Sequence, residues 1–351
     1  MTATPPFRLD FRSTNGRLAG PLQDADGGGD LFEYTTWLRV RSDVPGYVAP
    51  AAAPGDDDVT GFVPPVFMTD GLAVMTVARS HDDCGGKSIG MFRHGVGAEE
   101  LEQLRRLVEL TPWSELPRPV GGQFTAPQLE LSYSSGEMMI QRKYNATCGE
   151  FRAAIRPLEN ALDELASRLM AHPISVLGLE GSAAPEPAEP EGSDHWTIHM
   201  KLRNRGMLPI VFTDPRIPQG AADPHVLDNQ PRFELRIGEI ESNAGVPPSE
   251  WTVLPLPPVP ADAPQSRVLA GGSCLELSVP WTAPRPGKFL LAATWQDYGG
   301  PIEAVAGQLP FMPLPESGSS ALVGGPYPVR GATFANHVIE VSPNAKGEKN
   351  R

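Results

Sequence analysis

The stretch EGSAAPEPAEPE, Glu180 to Glu191, decides how this chain divides. It is rich in Pro, Ala and Glu, offers no large apolar side chain and repels itself, so it predicts an extended linker. The hydrophobic pattern changes across it. Before it, apolar residues recur at both helical and alternating spacings; after it, only short alternating runs remain. The expectation is an α+β domain over residues 1–179, an acidic linker over 180–194, an all-β domain over 195–341 and a disordered tail over 342–351.

In the first part, Leu31 to Val40 alternates, with Phe32, Tyr34, Thr36, Leu38 and Val40 on one side, and reads as a half-buried strand. A Pro/Gly/Asp-rich segment from Pro45 to Pro65 reads as a long surface loop. Leu72 to Ala78 is a second strand. Ala98 to Leu110 places Leu101, Leu104, Leu107 and Val108 on one helical face, with Glu and Arg opposite, and Thr111-Pro112 ends it. Gln128 to Tyr133 and Glu137 to Lys143 flank Ser134-Ser135-Gly136 as a hairpin. A second helix carries Leu158, Leu162, Leu165 and Leu169 on one stripe, with Pro157 as a first-turn proline or a kink. Together these predict a small antiparallel sheet with two helices.

Beyond the linker, strands are expected at Trp196 to Asn204, Pro209 to Thr213, Phe233 to Ile237, Trp251 to Leu256, Cys274 to Val279, Lys288 to Trp295 and His337 to Val341, a number that suits a β-sandwich. The pieces WTIHMKLRNRG (Trp196 to Gly206) and APRPGKFLLAATW (Ala283 to Trp295) resemble the early and closing strands of bacterial immunoglobulin-like domains. That resemblance implies a fold only. The N-terminal succession of Gly-Gly turn, helix ending near Leu116-Pro117, hairpin and closing helix is similar to emfourin-type protease inhibitors.

Composition narrows the function. Of 351 residues, 40% are hydrophobic and 20% charged, a soluble composition, and Gly 36 with Pro 39 favours short strands and turns. The net charge of -13 repels phosphate backbones and anionic membrane surfaces, so neither nucleic acid nor membrane is an expected partner. Cys84, Cys148 and Cys274 form no C-x-x-C pair and read as free thiols of a reducing compartment. With no apolar leader or spanning run in view, the expected location is the cytoplasm.

One motif invites a catalytic reading. In LAVMTVARSHDDCGGKSIG, Leu72 to Gly90, an apolar strand runs into His81, Asp82, Asp83 and Cys84, then Gly85-Gly86-Lys87-Ser88. As a phosphate loop its end fits, but His81 stands where the first glycine must let the backbone wrap the phosphates, and Asp82 and Asp83 would set carboxylates beside them. As a metal site it has zinc-competent groups, but four adjacent residues do not readily close a tetrahedron. As a nucleophile, Cys84 needs a base such as His81 or His94 within reach. As a polar turn, its Asp side chains satisfy backbone amides and its glycines supply positive φ. The turn is the expected reading, with no catalytic, cofactor or metal residue assigned; His81, Asp82, Asp83, Cys84, Lys87 and Ser88 stand as the alternative site.

His195 and His199 have helical metal-pair spacing, but along a strand four residues span about 13 Å, so they read as exposed polar positions. Trp196, Trp251, Trp281 and Trp295 read as core, with a sugar-stacking platform as the alternative. The leading functional expectation is a non-catalytic protein-binding protein of bacterial type: an inhibitor, a toxin-neutralising immunity protein or an adaptor, using its acidic surface and long loops on a basic protein partner. An enzyme with its site at the His81–Ser88 turn and a carbohydrate-binding module are the alternatives.

Overall fold

The computed structural model describes residues 5–13, 36–43, 46–48, 67–77, 88–115, 128–145, 152–185, 195–214, 216, 232–240, 248–259, 266–297, 327–329 and 331–342. In chain order the first half gives β1 (Phe7–Ser13), β2 (Thr36–Arg41), β3 (Gly46–Val48), β4 (Phe67–Thr69), β5 (Gly71–Val77), β6 (Ser88–Val96), α1 (Ala98–Leu110), β7 (Gln128–Ser135), β8 (Met138–Asn145), α2 (Arg152–Met170) and β9 (Pro173–Pro185). The second gives β10 (His195–Asn204), β11 (Ile210–Thr213), β12 (Arg232–Glu239), β13 (Thr252–Val253), β14 (Ser266–Leu269), β15 (Cys274–Thr282), β16 (Gly287–Asp297), β17 (Tyr327–Pro328) and β18 (Gly331–Val341). The described fold is mostly β, with two helices.

Nine strands make one sheet, ordered β15-β10-β9-β6-β5-β2-β1-β7-β8, and four make a second, β13-β12-β16-β18. This corrects the expected linker at its start: Glu180–Pro185 are the distal half of β9. They pair with β10 through to Pro185 opposite Trp196, while the proximal half of β9 pairs with β6, Ser88 opposite Gly178. One sheet therefore crosses the expected boundary. Of the small residues in this distal half, Gly181 and Ala183 are half-buried while Ser182, Ala184 and Pro185 are exposed. A Cβ at Gly181 would lie 3.2 Å from Met200 Sδ and 3.7 Å from Ala335 Cβ of β18, so a side chain there needs Met200 to shift by a few tenths of an ångström. Residues 186–194, and 343–351 of the expected tail, lie outside the described residues.

Two large cores and one small cluster, Leu72 and Val74 with Met91, form on this sheet. On one face, α1 and α2 bury Leu101, Leu104, Val108, Leu158, Leu162, Leu165 and Leu169 against Phe7, Leu9, Phe11, Leu38, Val40, Met75 and Leu131. The helical stripes read from the sequence are the buried stripes, each such side chain contributing about 1.5–3 kcal/mol by leaving water. Asp70 accepts a hydrogen bond from the Ala98 amide at 2.9 Å and so starts α1 from a distant strand connection, and Glu99 and Glu100 suit the helix dipole. Pro157 lies inside α2, past its first turn.

The second sheet joins a different core, in which Phe233, Leu235, Phe289, Leu291, Trp295 and Ile339 meet Ile198, Met200, Leu277, Val279 and Trp281. Val176 belongs to the helical core and its neighbours Leu177 and Leu179 to the sandwich core, since alternate residues of a strand face opposite ways. β9 is thus covered on both faces, and Ile174 to Leu179 are buried without a break.

Candidate binding site at the rim of the sandwich

At one end of the second sheet lies a pocket of about 360 Å³. Three pieces of chain build it. The end of β12 gives Ile237, Gly238 and Glu239; the segment before and into β13 gives Ser249, Glu250 and Thr252; the β15–β16 hairpin gives Trp281 from β15, Pro284 and Arg285 from the connection and Phe289 from β16. The rings of Trp281 and Phe289, both buried, meet edge to face with centroids 5.1 Å apart. Leu254 donates its amide to Leu235 at 2.8 Å and pins the second piece along β12.

Gly238 lets that piece lie so close. A Cβ there would stand 2.5 Å from Pro248 Cβ and 2.6 Å from the Glu250 carbonyl oxygen, so only glycine admits the backbone that presents Glu250. Across the pocket, Arg285 donates from Nε at 3.1 Å and Nη2 at 2.5 Å to a single oxygen, Oε2 of Glu239. These bonds raise the guanidinium pKa. Glu250 is exposed and has no ion pair among the described residues. Beside the pocket, the Arg236 guanidinium lies 4.5 Å from the ring centroid of the half-buried Trp251.

Elsewhere in this half, Asp214 is buried between Arg216 and Arg267 and accepts hydrogen bonds from both. Burial pushes its carboxyl up, but the hydrogen bonds from Arg216 and Arg267 outweigh that and hold it below its ordinary value. This is a paired buried charge that ties the end of β11 to β14.

Of the alternative site read from the sequence, His81, Asp82, Asp83, Cys84 and Lys87 lie outside the described residues. Ser88 opens β6, buried, and its hydroxyl has no hydrogen-bond partner among the described residues. Among the described residues no group of three or more His, Cys, Asp or Glu is arranged to hold a metal ion, and no helix is long and apolar enough to cross a membrane. His195 is hydrogen-bonded to Thr282 at 2.9 Å and His199 to Ser278 at 3.2 Å, on the face of β10 turned from the core. Of the four tryptophans read as core, Trp281 and Trp295 are buried in it, Trp196 packs against it half-buried, and Trp251 is half-buried outside it.

The pocket itself was not read from the sequence. Its local signal was the turn Pro284-Arg285-Pro286-Gly287 between Trp281 and Phe289. Nothing local shows that Glu239, 46 residues before Arg285, meets it. No protein-family model, no curated protein and no solved structure matches this chain.

Proposed function

We propose that this chain is a non-catalytic protein-binding protein of bacterial type, an inhibitor, toxin-neutralising immunity protein or adaptor acting in the cytoplasm. On this reading the second half is an immunoglobulin-like frame that presents its rim pocket to a basic partner. The observation that carries it is the exposed Glu250 carboxylate beside an aromatic-based pocket, in a chain with Asp+Glu 42 against Lys+Arg 29. A concave site with an apolar base and a few polar groups at its edge is suited to holding one projecting group of a partner. The excess of carboxylates draws a basic protein towards it over a long range.

Site-directed photo-crosslinking tests this. A photoreactive side chain at Ser249 in the full chain is expected to capture a basic protein in cells of origin. The same group at Glu137, on the β7–β8 turn at the far end of the large sheet, is not. Equal capture at both positions, or none at either, would count against the reading.

A further inference from the structure

We infer that the rim pocket receives one cationic side chain, a lysine or arginine, from a partner segment; this rests on the protein-binding reading above. The charges of Glu239 and Arg285 offset one another, so Glu250 leaves the lining one negative charge in excess. Arg285 engages only Oε2 of Glu239, and Oε1 has no hydrogen bond among the described residues. The carboxylates of Glu239 and Glu250 therefore belong to the lining of a space that Trp281, Phe289, Ile237 and Pro284 also line. That is the division of labour a long basic side chain needs: an apolar surface for its methylene stem, aromatic rings near its cation and carboxylate oxygens for its donors.

Other occupants fit less well. An anion would meet Glu250 directly. An apolar side chain would strip water from both carboxylates and give them no donor in return. A neutral sugar would use the acceptors but not the excess charge. The volume, about 360 Å³, is about twelve times the share of one liquid water, which leaves room for the side chain and water at its head.

The test uses the intact chain labelled with 5-fluorotryptophan and followed by fluorine NMR, the Trp281 signal being assigned from Trp281→Phe. The probes are N-acetyl-arginine amide, N-acetyl-lysine amide, N-acetyl-norleucine amide, N-acetyl-glutamate amide and methyl glucoside. The arginine and lysine amides are expected to shift Trp281 saturably while the other probes do not. Glu250→Gln, an exposed substitution, is expected to weaken both about fivefold, the loss of one partly exposed carboxylate–cation contact. Calorimetry on the unlabelled chain gives the same affinities even if Trp281→Phe does not fold. Binding of norleucine amide equal to that of arginine amide, binding of the glucoside alone, no binding of the basic amides, or indifference to Glu250→Gln would each overturn the inference. Partner capture at Ser249 with the basic amides silent would leave the protein-binding reading standing without this pocket's role. Amide binding without partner capture would do the reverse.

Discussion

His94 on β6 and His172 in the turn from α2 to β9 stack face to face, with ring centroids 4.2 Å apart and planes 17° from parallel. Burial, then the neighbouring His172, then Arg168 of α2 lower the His94 pKa. Arg168 is itself paired with Glu100 of α1, so this stack sits where both helices meet the sheet. In the unfolded chain the same imidazole titrates near about 6.5, so below that pH the unfolded state binds more protons than the folded one. The stability owed to His94 is therefore complete above that value and is lost as pH falls through its lower folded value. Denaturation midpoints measured from about pH 7.5 down to about pH 5 should fall, and His94→Gln should flatten the fall. Asp43, held at about 2 chiefly by the hydrogen bond from Arg41, titrates well below this window and does not confuse the measurement. Gly238→Ala makes a second residue-scale test. Because its Cβ would stand 2.5 Å from Pro248, the segment bearing Glu250 must move. Thermal melts should show a loss of about 1–3 kcal/mol, with weaker capture at the pocket.

Among the elements, α1 and α2 were legible because a helix declares its buried stripe within a few turns of sequence. Leu162 is buried and Leu110 is 80% exposed, as their places on the helices imply. Leu162→Ala should thus cost about 2–5 kcal/mol in urea unfolding, and Leu110→Ala almost nothing. The hairpin, β5 and most strands of the second half were legible too, through alternation bounded by turns. Seven strands escaped, β1, β3, β4, β6, β9, β14 and β17, and β3 (Gly46–Val48) falls inside the segment expected to be a surface loop. Phe7, Leu9 and Phe11 alternate with Arg8, Asp10 and Arg12, but the partners that make β1 a strand lie at Thr36–Arg41 and Leu129–Ser135, where no local reading reaches. β6 follows the polar, glycine-rich run from His81 to Lys87, whose residue types suit a turn or a chemical site and give no sign of a strand to come. β9 is buried on both faces at its start, so it does not alternate, and its distal half is made of small residues that composition assigns to a linker. The pocket escaped for the same non-local reason, since Glu239, Glu250 and Arg285 are brought together only by the pairing of β12 with β13 and β16.

At the scale of the whole molecule, β9 determines how the two halves share stability. It pairs with β6 on one side and β10 on the other, and sends Val176 to the helical core and Leu177 and Leu179 to the sandwich core. Ile89 of β6 also lies in the sandwich core. Removing the sandwich would expose Ile89, Leu177 and Leu179, and removing the helical half would strip β9 of its β6 neighbour. Neither half keeps a complete sheet alone. Two domains on a free linker would melt independently, whereas a shared strand couples them. Calorimetry should therefore give one cooperative transition. Leu177→Ala, with a cost of about 2–5 kcal/mol, should lower the melting of the helical half, reported by hydrogen exchange in α2, as much as that of the sandwich. A single proteolytic cut within 186–194 should leave the fragments associated under native conditions, because β9 and β10 remain paired from Leu177 to Pro185. Two separate transitions, with Leu177→Ala moving only one of them, would show that the continuous sheet does not couple the halves.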